Sequence, residues 1–296
     1  MLFGHNRSRL SHILLVGLAW SVQFASSGLA AAAEKTVRVF ILAGQSNMEG
    51  AGQVRINPSK DNGGQGSLEY LVKSPKTVRQ FAHCVDKDGE WIVRDDVWIW
   101  YLDRKGGLSV GYGARKKTIG PEFQFGHVMG QHFQEPVLII KTAWGGKSLV
   151  KDFRPPSAGG EVGPFYQKMI THVREVLAGQ DDLFPALKDH QAVLSGFGWH
   201  QGWNDGCSKP DCLQYETNLA HFIRDVRKAL NSPGLPFVIA GSGFGGWEQK
   251  IDRRLMIMKA QEAIAKHDEF KGDTRYVETR SFFRDGPVSP PPQVAV

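Results

Sequence analysis

A serine that directly follows an apolar run is the first residue able to do chemistry in this sequence. In the stretch FILAGQSNMEGAG, Phe40–Gly52, the apolar run stops at Gly44 and Ser46 follows two positions later. A serine placed just after a strand exposes its Oγ atom, with the first backbone N–H groups of the next segment close by. Ser46 is therefore a candidate nucleophile, although a lone Gly-x-Ser is more often a turn or helix-cap sequence.

Two later stretches contain groups that can stabilise the oxyanion formed when a serine attacks an ester. TAWGGKSL contains Gly145 and Gly146, and WHQGWND contains Asn204. The backbone N–H groups of Ser46 and of one glycine, together with the Asn204 amide, would give the several donors that an oxyanion hole requires. Taken singly, the glycine pair also fits a tight turn, and Asn204 a helix cap. The order of the three stretches favours acyl transfer to Ser46.

All three stretches follow runs that we predict to be buried β-strands. Five runs are apolar without strict alternation, which is typical of parallel strands covered on both faces: Val37–Gly44, Pro136–Ala143, Ala192–His200, Pro236–Gly241 and Thr274–Thr279. Helical patterns are found at Glu122–Phe133, Pro164–Leu177, Leu213–Leu230 and Arg253–His267. The alternation predicts an α/β fold, a three-layer α/β/α sandwich with a parallel sheet of about five strands. The aromatic run at Trp98–Tyr101 is expected to form an extended excursion beside that sheet.

Ligands of open parallel α/β sheets gather at the carboxyl ends of the strands, so the three stretches should meet at one edge. GQSNM, AWGGKSL and WHQGWND, in this order, resemble the sequence blocks of the SGNH hydrolases, in particular the sialate O-acetylesterase-like branch of carbohydrate acetyl-esterases. The resemblance covers nearly the whole chain after the N-terminal leader. It implies ester hydrolysis without a metal or other cofactor, typically the removal of acetyl groups from sugars.

The resemblance also implies roles for individual residues. Ser46 matches the nucleophile, Gly146 (or Gly145) the oxyanion glycine, and Asn204 the oxyanion asparagine. Four residues of the same blocks are expected to contact the substrate, and these are Gln45, Gly145, Gln201 and Trp203. Ser46 lacks the second glycine of the G-x-S-x-G elbow, which disfavours the α/β-hydrolase alternative.

The general base of the family is missing from its expected place. In the family, an Asp and a His three residues apart follow the last strand, but here the region reads VETRSFFRDGPVSPPPQVAV. Asp285 matches the acid, Val288 stands where the histidine is expected, and no histidine follows His267. The family's closing helix is also absent, which is consistent with a truncated or frameshifted end. We therefore expect an impaired esterase, with His200 as the first candidate for a substitute base.

Two non-catalytic alternatives remain open. The chain can be a carbohydrate-binding relic of the same fold, with four tryptophans forming the cleft, which are Trp144, Trp199, Trp203 and Trp247. It can also be a cell-surface interaction protein that uses a basic face. The Gly-rich stretch Gly241–Gly246 matches G-x-G-x-x-G, but it lies late in the chain and outside an opening βαβ unit, which disfavours nucleotide binding.

Composition and the N-terminus bound the remaining possibilities. The chain has 296 residues, of which 41% are hydrophobic, and a formal net charge of +6. This surplus is too mild to indicate nucleic-acid binding. Arg7 and Arg9, the apolar run Ile13–Val22 and the small residues after it predict a secretory signal at 1–33. The apolar run is too short to span a bilayer, so we expect export to the periplasm or the medium without stable membrane insertion.

The remainder is predicted to be one esterase domain at 35–285, followed by a Pro-rich and disordered tail at 286–296. Cys207 and Cys212 lie close enough in sequence for a small loop disulfide, and Cys84 would remain free. A metal site at this pair is the alternative, but a second pair of Cys or His ligands at suitable spacing is missing.

Overall fold

The structure is a computed structural model that describes residues 35–59 and 62–284. The predicted signal at 1–33, the candidate acid Asp285 and the predicted tail at 286–296 lie outside the described residues.

The described chain is built around a seven-stranded sheet. Nine strands occur in chain order: β1 Thr36–Gly44, β2 Gly52–Gln53, β3 Val97–Tyr101, β4 Arg104–Gly107, β5 Thr118–Ile119, β6 Val137–Ala143, β7 Gln191–His200, β8 Phe237–Ala240 and β9 Thr274–Val277. The strand order in the large sheet is β4-β3-β6-β1-β7-β8-β9, and only β4 runs antiparallel to its neighbour. The short strands β2 and β5 pair with each other in a separate antiparallel ribbon.

Eight α-helices of the described residues connect or cover these strands. They are α1 Ser46–Glu49, α2 Leu68–Lys73, α3 Val78–Phe81, α4 Pro121–His132, α5 Pro164–Ala178, α6 Gln180–Leu183, α7 Lys209–Ala229 and α8 Asp252–Ile264. Within the described ranges, none of these helices combines the length and the apolar character needed to cross a membrane.

The two faces of the sheet carry separate apolar cores. One core joins β1, β6, β7 and β8 to α5, α7 and α8, with Trp199 and Phe222 fully buried in it. The other joins the opposite side chains of β1, β3 and β6 to α4, and it includes Phe40 and the fully buried Ile139. Strand β6 is buried at every position because both of its faces are covered, which explains its uninterrupted apolar run.

The predicted fold class is confirmed, with two differences in the sheet. The parallel part contains six strands and not about five, because Val97–Tyr101 pairs in parallel with β6 as a regular member of the sheet. The seventh strand, β4, extends the sheet antiparallel to β3 at its edge. The four long predicted helices correspond to α4, α5, α7 and α8, each with ends within a few residues of the prediction.

Candidate active site

Ser46 is the first residue of α1, immediately beyond the carboxyl end of β1. Its side chain is exposed, and it makes no hydrogen bond to any other described residue. The backbone N–H of Ser46 also lacks an acceptor in the described part of the chain, since the first N–H groups of a helix have no partner within it. The hydroxyl and the N–H are therefore both available to a bound molecule.

Gln45, which is buried, links this turn to the end of β7 and the loop after it by hydrogen bonds. Its backbone N–H donates to the carbonyl of His200 at 3.1 Å. Its Oε1 atom accepts from the backbone N–H groups of Gly202 at 3.1 Å and Asn204 at 3.2 Å. Gln45 is only 2% exposed, so it positions the turn that carries Ser46, and the substrate contact expected of it stays a prediction.

The loop after β6 brings Gly145 and Gly146 to the same place. Gly146 has φ of +67°, a left-handed conformation that favours glycine, and its carbonyl accepts from Asn204 Nδ2 at 2.7 Å. A Cβ atom on Gly145 would lie 3.9 Å from Ser46 Cβ. The structure thus brings Ser46, the two glycines and Asn204 together at one edge of the sheet.

A buried carboxylate holds the loop after β6 in this position. Asp205 accepts from the backbone N–H groups of Leu149 and Val150 and from Gln201 Nε2, at distances between 2.6 and 3.0 Å. Burial raises the pKa of Asp205 to about 6, while these hydrogen bonds oppose the rise. Asp205 was not among the predicted site residues, although it lies next to Asn204 in sequence.

Gln201 belongs to the same buried network. Its Nε2 atom also donates to the carbonyl of Lys147 at 2.9 Å, and its backbone carbonyl accepts from the Tyr215 hydroxyl at 3.0 Å. Gln261 on α8 continues the network by donating to the Gln201 carbonyl at 2.6 Å. Gln201 is 1% exposed and bonded within the protein, so it supports these loops, and the substrate contact expected of it stays a prediction.

His200 does not approach the Ser46 hydroxyl as a base would. Its Nε2 lies 3.4 Å from Asn47 Nδ2, and its ring bonds to the backbone of Gly241. The amide nitrogen of Asn47 is a donor, so Nε2 is the accepting nitrogen and the proton of the neutral ring lies on Nδ1. Loss of contact with water lowers the pKa of His200 to about 4, which keeps the ring neutral at pH 7.

An aromatic surface lies beside the converging loops. Trp203, next to Asn204, is 38% exposed, and its ring contacts Phe244 at a centroid distance of 4.2 Å and the Arg254 guanidinium at 3.4 Å. Trp247 is exposed as well and carries Arg280 over its ring. The prediction that Trp199 lines the cleft is wrong, because its ring is fully buried in the core, and Trp144 is partly buried against Phe165.

The cysteines are not bridged. Cys84, Cys207 and Cys212 are all free thiols, so the predicted Cys207–Cys212 disulfide is wrong. The buried Cys212 Sγ contacts the carbonyls of Asp205 and Arg253, whereas Cys207 Sγ lies near the carbonyl of Trp203. Among residues 35–59 and 62–284, no group of three or more His, Cys, Asp or Glu side chains is arranged to hold a metal ion.

The end of the described chain lies against the loop after β8. Thr279 Oγ1 donates to the carbonyl of Gly241 at 2.7 Å, and Trp247 Nε1 donates to Ser281 Oγ at 3.2 Å. The same loop reaches the sheet edge that carries the candidate site, since a Cβ atom on Gly202 would lie 2.5 Å from Ser242 Oγ. Arg284, the last described residue, therefore belongs to a segment on the side of the sheet where the candidate site lies.

Comparisons with known proteins identify the family of this chain. A family model described as "Carbohydrate esterase, sialic acid-specific acetylesterase" matches residues 36–281. The probable carbohydrate esterase At4g34215 of Arabidopsis thaliana is 23% identical over 251 residues, which cover 82% of this chain and 85% of that protein.

Solved structures show the same fold. The X-ray structure of the Arabidopsis thaliana protein gives a TM-score of 0.53 at 16% identity, covering 82% of this chain and 86% of the other. The crystal structure of NanS gives a TM-score of 0.50 at 13% identity, covering 83% and 78% of the two chains. At these identities the likeness shows a common fold.

Proposed function

Since this chain belongs to the family of carbohydrate esterases described as sialic acid-specific acetylesterases, we propose that it hydrolyses O-acetyl esters of carbohydrates with Ser46 as the nucleophile. The observation that carries the proposal is the convergence of Ser46 with hydrogen-bond donors that have no other partner. The backbone N–H groups of Ser46 and Gly146 donate to no described residue. Asn204 uses one amide hydrogen on the Gly146 carbonyl and keeps the second.

These groups define the steps of the reaction. The Ser46 Oγ attacks the ester carbonyl, and the three donors stabilise the negative charge that develops on its oxygen. Collapse of the tetrahedral intermediate releases the sugar hydroxyl and leaves an acyl-serine, which water then hydrolyses. The exposed ring of Trp203 lies beside Asn204, where it offers an apolar face to a sugar.

The activity is proposed to be slow. Ser46 Oγ has no hydrogen bond to an imidazole within residues 35–59 and 62–284. Enzymes that lose one member of a catalytic triad keep about 10³–10⁴-fold acceleration over water from the oxyanion hole and binding. We propose this level as the lower limit of the activity here, and we propose that the sequence at 1–33 directs the chain to the periplasm or the medium.

The test is hydrolysis of p-nitrophenyl acetate and of a peracetylated monosaccharide by the full chain and by Ser46→Ala. The substitution removes the nucleophile, so the enzyme-dependent rate should fall to background on both substrates. Ser157→Ala is the matched control, because Ser157 Oγ lies 2.7 Å from His221 Nδ1 on an exposed turn. Full activity in Ser46→Ala, or loss of activity only in Ser157→Ala, would overturn the proposal.

A further inference from the structure

Glu49 lies on the same short helix as Ser46, with its carboxylate beside Gly145. It lies three residues after Ser46 in α1, a spacing that puts two side chains on one face of a helical turn. A Cβ atom on Gly145 would be 2.8 Å from Glu49 Oε2 and 3.9 Å from Ser46 Cβ. The carboxylate and the serine side chain therefore both border the same side of Gly145.

The acceptor capacity of this carboxylate is largely unused. Tyr101 Oη lies 3.4 Å from Glu49 Oε1 but 3.1 Å from the carbonyl oxygen of Ala143. A tyrosine hydroxyl has one proton, so the shorter contact to Ala143 takes it. Oε2 has no donor among the described residues. A half-buried carboxylate with free lone pairs near an exposed serine is a candidate functional group.

The neighbouring Lys141 ammonium does not donate a hydrogen bond to the Glu49 carboxylate. Lys141 Nζ donates to the backbone carbonyls of Glu49 and Tyr112, both at 2.7 Å, and to Glu122 Oε2 at 2.5 Å. An ammonium group has three hydrogens, so all of them are bound to atoms other than the Glu49 carboxylate.

His200, the other candidate, has its accepting nitrogen opposite the Asn47 amide and not opposite the serine hydroxyl. We propose, on the basis of the function proposed above, that Glu49 is the general base that activates Ser46. The Ser46 Oγ–H bond breaks as Oγ bonds to the acyl carbon, and the proton passes to a Glu49 carboxylate oxygen.

The remaining steps return this proton. Protonated Glu49 gives its proton to the departing sugar oxygen when the acyl–oxygen bond breaks. In the second half-reaction, Glu49 accepts a proton from the attacking water, and that proton returns to Ser46 Oγ as the acetate leaves. No metal or redox partner is needed for this balance, since every proton taken up by the carboxylate is released again.

The experiment compares Glu49→Gln, Glu49→Ala and Glu49→Asp with Ser46→Ala in the full chain. General-base assistance contributes about 10²–10⁴-fold, so we expect kcat/KM to fall by at least about 10²-fold in Glu49→Gln and Glu49→Ala. Glu49→Asp keeps a carboxylate and should retain part of the rate. Added formate should restore activity to Glu49→Ala, where the missing side chain leaves room for a small carboxylate, and should not restore Ser46→Ala.

Glu262→Gln, which changes a glutamate of the surface pair with Lys266, is the control and should keep the parent rate. Two results would overturn the role of Glu49. One is unchanged kcat/KM in Glu49→Gln, and the other is a loss in Glu49→Ala that formate leaves uncorrected, since a purely structural residue gives that result. Both leave the proposed function intact as long as Ser46→Ala is inactive. Activity in Ser46→Ala would instead contradict the proposed function itself.

Discussion

Burial sets the protonation of His200, and this has a measurable effect on stability. Its folded pKa of about 4 lies below the usual value of about 6.5. Between these values the unfolded chain binds the proton and the folded chain does not, so the stability from His200 is complete above pH 6.5 and is lost as pH falls toward 4. For a half-buried ring we expect this loss to be roughly 2 kcal/mol.

Urea unfolding at pH 4.5 and 7.5 measures this effect when the chain is compared with His200→Gln. The free energy of unfolding should rise with pH more steeply in the parent chain than in the variant, because only the parent contains the titrating ring. Equal pH dependence in the two proteins would contradict the buried, neutral state of His200.

The position of the loop after β6, which contains Gly146, depends on Asp205. Asp205→Asn replaces one carboxylate oxygen by an amide donor, which must face the N–H groups of Leu149, Val150 or Gln201. An unsatisfied buried donor costs about 1–3 kcal/mol, so the free energy of unfolding should fall by that amount. Because the same loop carries Gly146, kcat should also fall, by about 10-fold or more, with a smaller change in KM.

Denaturation and steady-state kinetics of Asp205→Asn, beside the exposed control Asp252→Asn, test this prediction. A variant that is destabilised but keeps its kcat would show that Asp205 supports the fold without positioning the donors.

The sequence predicted which residues meet at the sheet edge better than it predicted how deeply each side chain is buried there. The order of Ser46, Gly146 and Asn204 along the chain was enough to place them at one sheet edge. Gln45 and Gln201 lie in the same blocks, but an amide suits a buried network as well as it suits a sugar, and only tertiary packing decides between the two. Glu49 was missed, although its spacing of three from Ser46 was a usable signal.

At the scale of elements, one buried ion pair links β6 to α4 and α1. Lys141 and Glu122 have fully buried side chains and lie 2.5 Å apart. Burial raises the pKa of Glu122 and lowers that of Lys141, while each charge opposes the shift of the other. Lys141→Met leaves the Glu122 carboxylate and two carbonyls without their donor, so the free energy of unfolding should fall by about 3–5 kcal/mol.

The double variant Lys141→Met with Glu122→Leu removes both charges. Thermal or urea unfolding should show the double variant to be more stable than Lys141→Met alone, because no unpaired charge is then buried. If the two substitutions are additive, the pair does not act as a unit.

The strands show why the sheet was only partly predictable. Strands such as Val137–Ala143 can be recognised in the sequence as long apolar runs, because both faces of the strand are covered in the fold. Val97–Tyr101 alternates between buried and partly buried positions, and its pairing with β6 depends on a partner 40 residues away in sequence. Arg104–Gly107 is charged and glycine-rich, as suits an edge strand, and it therefore resembles a loop in the sequence.

At the scale of the whole molecule, one face of the sheet retains an open apolar groove. Its volume is about 360 Å³, and its lining includes Phe40 and Leu42 from β1, Phe125 and Met129 from α4, and Val238 from β8. Val238 is 41% exposed, which is unusual for an apolar residue in the interior of a seven-stranded sheet. The groove should therefore take up small apolar molecules from water.

We expect the fluorescent dye 1-anilinonaphthalene-8-sulfonate to bind the native protein in this groove. Val238→Lys places a charge in the groove and should remove most of the dye fluorescence while the protein stays folded, since the side chain already meets solvent. Val93→Lys makes the same change at a position that is 66% exposed and does not line the groove, so it should leave the fluorescence unchanged. Equal losses in the two variants would show that the dye reports general surface hydrophobicity, and the groove would then not be the binding site. A selective loss in Val238→Lys would identify this face as the accessible apolar surface of the molecule, which is a property of the assembled sheet and not of any single strand.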